Sequence, residues 1–287
     1  MFFGSHVSIA GGIFNAPINA AKTGSETFQI FTRSPRGGAA PKLTAGITQQ
    51  FKENCRRLGY TNFYIHTPYY INLASSNPKI AYGSISIIRQ ELERGSVLGA
   101  KALMTHLGSA NNLSRSEAIK KVIAGLKKVL TGYKGTTQFL IEMSAGSGNV
   151  IGDTFEEIAA ILKALKTIDH QLSTETGVCL DTAHAFASGY DLRTPQAVRE
   201  TLKKFDQTIG LKKLRLIHAN DSLAVFNSHV DRHWHIGFGK IGLDCFKTLI
   251  NDHRLKNIDL ILETPDEYGG KWDKKNLAIL KKLRAKK

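Results

Sequence analysis

Short apolar runs of about five residues alternate along the chain with longer stretches whose apolar positions recur every three or four residues. These are the patterns of buried strands and of helices packed on them. The runs at 2–7, 27–31, 62–65, 102–105, 138–141, 177–180, 214–217 and 258–262 predict strands. The stretches at about 12–23, 44–58, 80–98, 114–130, from Asp153, from Thr194-Pro195, at about 243–250 and from about 274 predict helices. Two helix starts carry local chemistry: Asp153 is placed to cap a helix with Glu156 three residues on, and Thr194 stands as a cap ahead of a proline at the first helical position. Eight strand–helix pairs in 287 residues predict an α/β chain folded as one (β/α)8 TIM-barrel domain over 1–287. A doubly wound sheet is the competing arrangement, but no GxGxxG turn follows the first strand. In a barrel the longest connections, after 62–65 and from 218 to about 241, lie at the face where the functional site forms.

Composition is ordinary for a globular chain, with 42% hydrophobic and 22% charged residues. No apolar run approaches 18 residues, so no membrane-spanning helix is expected. The start, Met1 to His6, lacks a basic segment followed by an apolar one, and no leader peptide is expected. Cys55, Cys179 and Cys245 are scattered, without C-x-x-C spacing, and predict reduced thiols in a cytoplasmic protein. Charge changes the picture: 39 Lys and Arg against 24 acids leave +15, and a pI near 9.7. Such a surplus concentrates polyanions, nucleic acid above all; a solubilising surface gives the same count.

The residues that end strands three to eight are His66, His106, Glu142, Asp181, His218 and Glu263, every one an imidazole or a carboxylate. Any one alone reads as a hydrogen-bonded polar residue. Six in order, each just after an apolar strand, converge on one rim of a barrel, where clustered charges are costly without cations between them. Asp181 and His184 are three apart and close enough to serve neighbouring ions, and Asp231 and His233 alternate so that both point one way from an extended loop. Five histidines and four carboxylates favour zinc or a similar late divalent metal over magnesium. Three ions use the whole set and leave a net +2 against four carboxylates, suited to a phosphate diester.

These residues lie in long ordered motifs. They include Gly177-Val178-Cys179-Leu180-Asp181-Thr182-Ala183-His184, His218-Ala219-Asn220-Asp221-Ser222, Val230-Asp231-Arg232-His233, Leu260-Ile261-Leu262-Glu263-Thr264 and the opening Gly4-Ser5-His6-Val7-Ser8. Through them the chain resembles the endonuclease IV family of apurinic/apyrimidinic endonucleases from Phe3 to about Leu283. The resemblance implies a TIM barrel with three zinc ions per chain that cleaves duplex DNA 5′ to an abasic site, leaving a 3′-hydroxyl and a 5′-deoxyribose phosphate. It also implies removal of blocking groups from 3′ ends. Carried over by position, one zinc takes His66 and His106, a second takes Asp181, His218 and Glu263, Glu142 bridges those two as the catalytic carboxylate, and a third takes His184, Asp231 and His233. Arg36 matches an arginine that enters the base stack, and Tyr69 and Tyr70 match residues that wedge into DNA. A monomer is the default for the family.

Met143, Ala110, Leu223 and Phe238 depart from the family pattern without touching the nine ligand positions. His229 and His235 read as loop surface or support beside the Asp231/His233 pair, and His170 and His253 read as exposed. Two other functions fit parts of the pattern. A sugar isomerase or epimerase shares a metal-bearing barrel but typically needs two ions held mostly by carboxylates. A DNA-binding barrel without catalysis would be expected to have lost ligands first.

Overall fold

The computed structural model describes residues 1–168, 176–266 and 270–285; His170 lies outside them. Eight parallel strands close into a barrel: β1 (Phe3–His6), β2 (Thr27–Ile30), β3 (Tyr64–His66), β4 (Ala102–Thr105), β5 (Gln138–Glu142), β6 (Gly177–Asp181), β7 (Leu214–His218) and β8 (Asp259–Leu262). Each pairs with its neighbours in sequence, and β1 closes on β8. The helices between them are α1 (Ala16–Thr23), α2 (Ala45–Arg57), α3 (Pro78–Leu98), α4 (Arg115–Leu130), α5 (Phe155–Ile168), α6 (Thr182–Ala187), α7 (Pro195–Thr208), α8 (Leu243–Asn251) and α9 (Lys271–Leu283). No helix among the described residues is long and apolar enough to cross a membrane.

Most helix starts follow from local chemistry. Thr44 caps α2 and Asn77 caps α3 ahead of Pro78. Ser114 and Glu117 form a reciprocal capping box on α4, and Thr194 caps α7. The start of α5 differs from expectation. The Thr154 hydroxyl accepts the Glu157 N–H at 3.2 Å, so Thr154 is the cap. The Asp153 carboxylate pairs instead with Arg115 of α4, which also binds Glu157. The closing helix begins three residues earlier than expected, at Lys271.

Two apolar layers hold the fold. Phe28, Phe51, Ile65, Leu103, Ile141, Phe155, Leu180, Ile217, Phe246 and Leu260 belong to the layer between strands and helices. Tyr64, Ala102, Met104, Leu140, Cys179, Leu216 and Ile261 fill the barrel. Below this plug, Asp259 accepts from Tyr64 Oη at 2.7 Å, Asn62 Nδ2 and Lys101 Nζ at 3.2 Å, and the Phe2 N–H at 2.9 Å. Burial alone would raise the Asp259 pKa; Tyr64, the Phe2 amide and Lys101 bring it below the ordinary aspartate value.

Candidate metal centre

Successive strand side chains face opposite ways, so the residue two beyond an interior position faces the interior again, one step nearer the strand's C-terminal end. Two beyond Tyr64, Met104, Leu140, Cys179, Leu216 and Ile261 stand His66, His106, Glu142, Asp181, His218 and Glu263. A register shift between β6 and β7 at Val178/Cys179 leaves Asp181 directly opposite His218. The other three candidates arrive differently. Asp181 caps α6 by accepting the His184 N–H at 2.8 Å, which sets His184 one helical turn on. A short antiparallel ladder of Asp221–Ser222 with His233–Trp234 folds the loop after β7 back over the barrel and delivers Asp231 and His233.

The nine residues gather in overlapping groups. Ligand atoms of His66, His106 and Glu142, of Glu142, Asp181, His218 and Glu263, and of Asp181, His184 and His233 each lie within 4.8 Å of one another. Glu142 is shared by the first two groups and Asp181 by the last two. Asp231 is more exposed but approaches both His184 Nε2 and His233 Nε2 at 3.3 Å. A cleft of about 660 Å³ opens onto His66, His106, His184, Asp231, His233 and Glu263.

Hydrogen bonds behind the imidazoles orient their free nitrogens. His66 Nδ1 donates to the Thr67 carbonyl at 2.6 Å, His184 Nδ1 to the Met143 carbonyl at 2.8 Å and His233 Nδ1 to the Glu263 carbonyl at 3.2 Å. His218 is turned the other way, with Nε2 on Gln29 Oε1 at 2.9 Å and Nδ1 toward Glu142 Oε1 at 2.8 Å. In neutral rings each of these four bonds uses the one N–H and aims the remaining lone pair at the cluster, the arrangement of histidines that hold a metal. His184 Nε2 and His233 Nε2 then face each other at 3.1 Å. Two lone pairs at that separation repel unless a proton or a cation joins them, so the donor set fits divalent cations.

Electrostatics without an ion give the same message. Burial would raise the Glu142 pKa, yet His106, His218 and His66 hold it well below the ordinary glutamate value. Burial works against charging His184, but Asp181, Asp231 and Glu142 outweigh it and push its pKa up to about 10. The carboxylates thus favour protons on His66, His184 and His218 where no cation is present, whereas burial keeps the His106 pKa below the ordinary imidazole value.

Three buried or half-buried polar residues were not singled out in the sequence. Gln29 donates to Glu263 Oε1 at 2.6 Å while accepting from His218, and contacts His6 Nδ1 at 3.0 Å. Asn220 donates to Asp181 Oδ2 at 2.6 Å and accepts the Glu263 N–H at 2.8 Å. The signal was available for the first pair, since His6 and Gln29 are polar at inward positions of the first two strands.

The residues matched to DNA contacts are on the surface. Tyr69 is 70% and Tyr70 37% exposed, with Tyr69 edge-on to Phe31. Arg36 is exposed on the loop between β2 and α2. Arg94 of α3 binds the Thr32 and Pro41 carbonyls at the two feet of that loop, and buried Glu91 holds Thr32 and Arg33. His229 and His253 are exposed, whereas His235 is buried and stacked on Trp272 at 3.8 Å, a packing role rather than loop surface. Among the departures, Met143 and Ala110 are buried, and Leu223 and Phe238 are exposed.

A closed parallel barrel with a cation-ready mouth defines a broad class, and a family model described as xylose isomerase-like TIM barrel matches residues 18–284. Within that class the chain is 39% identical over 268 residues to a protein named probable endonuclease 4 from Chlorobium luteolum, covering 93% of this chain and 94% of that one. The crystal structure of endonuclease IV from Thermus thermophilus superposes with a TM-score of 0.85 at 31% identity, covering 99% of this chain and 98% of that one. The chain belongs to the endonuclease IV family of apurinic/apyrimidinic endonucleases. A D-tagatose 3-epimerase-like protein shares the fold at 20% identity, with a TM-score of 0.71, covering 99% of this chain and 98% of that one.

Proposed function

We propose that the chain hydrolyses the phosphodiester 5′ to an abasic site in duplex DNA, leaving a 3′-hydroxyl and a 5′-deoxyribose phosphate, and that it cleans blocked 3′ ends at the same centre. Residues 1–287 act as one domain and as a monomer, in the cytoplasm where chromosomal DNA lies. The observation that carries this reading is the set of imidazoles locked from behind with lone pairs facing four carboxylates, including the facing pair His184 and His233. Three zinc ions suit it. His66 and His106 would hold one, Asp181, His218 and Glu263 a second, and His184, Asp231 and His233 the third, with Glu142 available to the first two. When bound, the ions supply Lewis acidity toward a phosphate and activation of water at neutral pH.

The chain's own residues do the rest. Gln29 and Asn220 fix the orientation of Glu263, His218 and Asp181, so the cluster meets a phosphate without rearranging. Glu142, buried completely, is shielded from bulk water between the first two groups. At the rim, Arg36, Tyr69 and Tyr70 are free to enter a kinked duplex, and an abasic nucleotide has no base to unstack, which lowers the cost of extruding it. The +15 charge gives affinity for duplex of any sequence. A nicking assay on a duplex with one abasic site, paired with elemental analysis, tests the reading. Nicking 5′ to the lesion by a chain carrying close to three zinc ions is expected. A loaded chain that leaves this duplex intact but epimerises a ketohexose overturns it.

A further inference from the structure

Four of the nine candidate ligands end strands of the barrel ladder, His106 and Glu263 directly follow two more strands, and His184 follows on a capped helix. Asp231 and His233 come from the loop after β7, outside that ladder: the His229 N–H on the Ala187 carbonyl at 3.0 Å and His233 Nδ1 on the Glu263 carbonyl at 3.2 Å tie its far side, and its base is closed separately. Asp221, which follows β7 after Ala219-Asn220, is buried completely at the base of that loop. Its carboxylate is held by backbone. Oδ1 accepts the N–H of Ser222 at 2.8 Å and of Ile241 at 3.0 Å, and Oδ2 accepts from Gly237 at 2.9 Å, Gly239 at 3.1 Å and Gly242 at 3.3 Å.

Five converging amides form a nest that stabilises an anion by aligned dipoles. The sequence is shaped to allow it. A Cβ on Gly239 would lie 2.4 Å from Asp221 Oδ1 and 2.5 Å from the Ser222 carbonyl, so only glycine lets the backbone approach this closely. Gly237 and Gly242 take the left-handed φ values of 81° and 82° that turn their N–H groups inward. The same carboxylate therefore joins the outgoing arm of the loop, which begins at Asp221, to the returning arm at Gly237–Gly242. Between these joints Ser222 pairs with His233, and the Leu223 N–H donates to the Arg232 carbonyl at 3.0 Å.

We propose that Asp221 is a positioning residue for the third ion: its buried carboxylate closes the base of the loop and thereby holds Asp231 and His233 against His184. The proposal rests on the three-ion reading above. Holding two ligands in place before the ion arrives removes the ordering cost from binding, and supports of this kind typically change metal affinity about 10–100-fold.

The test uses the full chain loaded with zinc and titrated with a chelator, with zinc counted by elemental analysis and amide exchange followed in parallel. Asp221→Asn keeps the shape and removes the charge. It is expected to lose one of three ions at about 10–100-fold lower chelator concentration than wild type, with faster exchange at Gly237, Gly239, Ile241 and Gly242 and unchanged protection at Ile141 and Ile217. Gly239→Ala, which invades the nest from the amide side, is expected to reproduce this and carries the test if Asp221→Asn does not fold. A folded variant that keeps all three ions at wild-type affinity, or that loses all three together, overturns the proposal. Asp231→Ala supplies the signature of the third ion alone. If wild type holds fewer than three ions, or Asp231→Ala loses none, it is the three-ion reading that fails, while the exchange data still show whether Asp221 holds the loop.

Discussion

Asp259 opens β8 and Glu263 directly follows its last residue, four positions on and roughly 13 Å along the chain at about 3.3 Å per residue. Both carboxylates turn into the barrel, yet their surroundings differ in kind. At the bottom, Asp259 meets a phenol, an amide side chain, a lysine and a backbone N–H, and the protein itself completes the group. At the top, Glu263 accepts from Gln29 Nε2 at 2.6 Å but shares the rest of its space with Glu142, Asp181 and His218, whose ligand atoms lie within 4.8 Å of one another and could hold a cation. The lesson is that a buried carboxylate serves the fold where all its donors are built in, and is open to a functional role where carboxylates crowd together with too few donors.

The comparison is broken most severely at Glu142. Glu142→Gln is expected to lower nicking more than about 100-fold, beyond what outer contacts of a metal site cost, while the chain stays folded. A variant with wild-type turnover would remove Glu142 from the centre. Next comes the rim. Replacing Tyr69 and Tyr70 together by Ala should weaken binding to an abasic duplex about tenfold or more, from stacking worth roughly 1–3 kcal/mol per base, with zinc content unchanged. Equal loss on undamaged duplex, measured by anisotropy, would mean that the rings do not read the lesion.

The bottom should behave in the opposite way. Asp259→Asn is expected to destabilise the fold by about 1–3 kcal/mol, the usual cost of disturbing buried hydrogen-bond partners, and to leave zinc stoichiometry and nicking per folded molecule intact. Chemical denaturation and metal counting on the same sample decide it. The smallest effect is one of pH. In the metal-free chain His184 keeps its proton up to about 10, against 6.5 for an ordinary imidazole. Its stabilising contribution is therefore complete below 6.5 and fades as pH rises toward 10. Zinc reverses the trend over that window, because ligation needs the neutral ring. A chelated chain that gains stability from pH 6.5 to 10 would contradict the proton-for-metal exchange at the top.

Much of this division was legible in the sequence. Alternation along each strand fixes which residues face inward, so His66, Glu142, Asp181 and His218 could be read as strand-end groups without coordinates. The start of α5 could not. Asp153 and Thr154 are adjacent and equally able to cap, and the choice is made by Arg115, 38 residues away. Helix α6 was missed because Asp181 ends a strand and caps a helix at once, leaving no connecting residues to mark the change. Gln29 was missed for a different reason: an amide inside an apolar strand has no chemistry of its own until Glu263 and His218, more than 180 residues on, meet it from β8 and β7.

The loop that carries Arg36 is pinned at its two feet by Arg94, at Thr32 and Pro41, and between them a side chain added at Gly37 or Gly38 would meet no neighbour within 4 Å. Such a segment is separable from the barrel in evolutionary terms. Changes of residue or length between Ser34 and Ala40 leave the hydrophobic layers and the ladder untouched, so, on the proposed role of Arg36, selection could retune how DNA is engaged without altering the candidate metal centre.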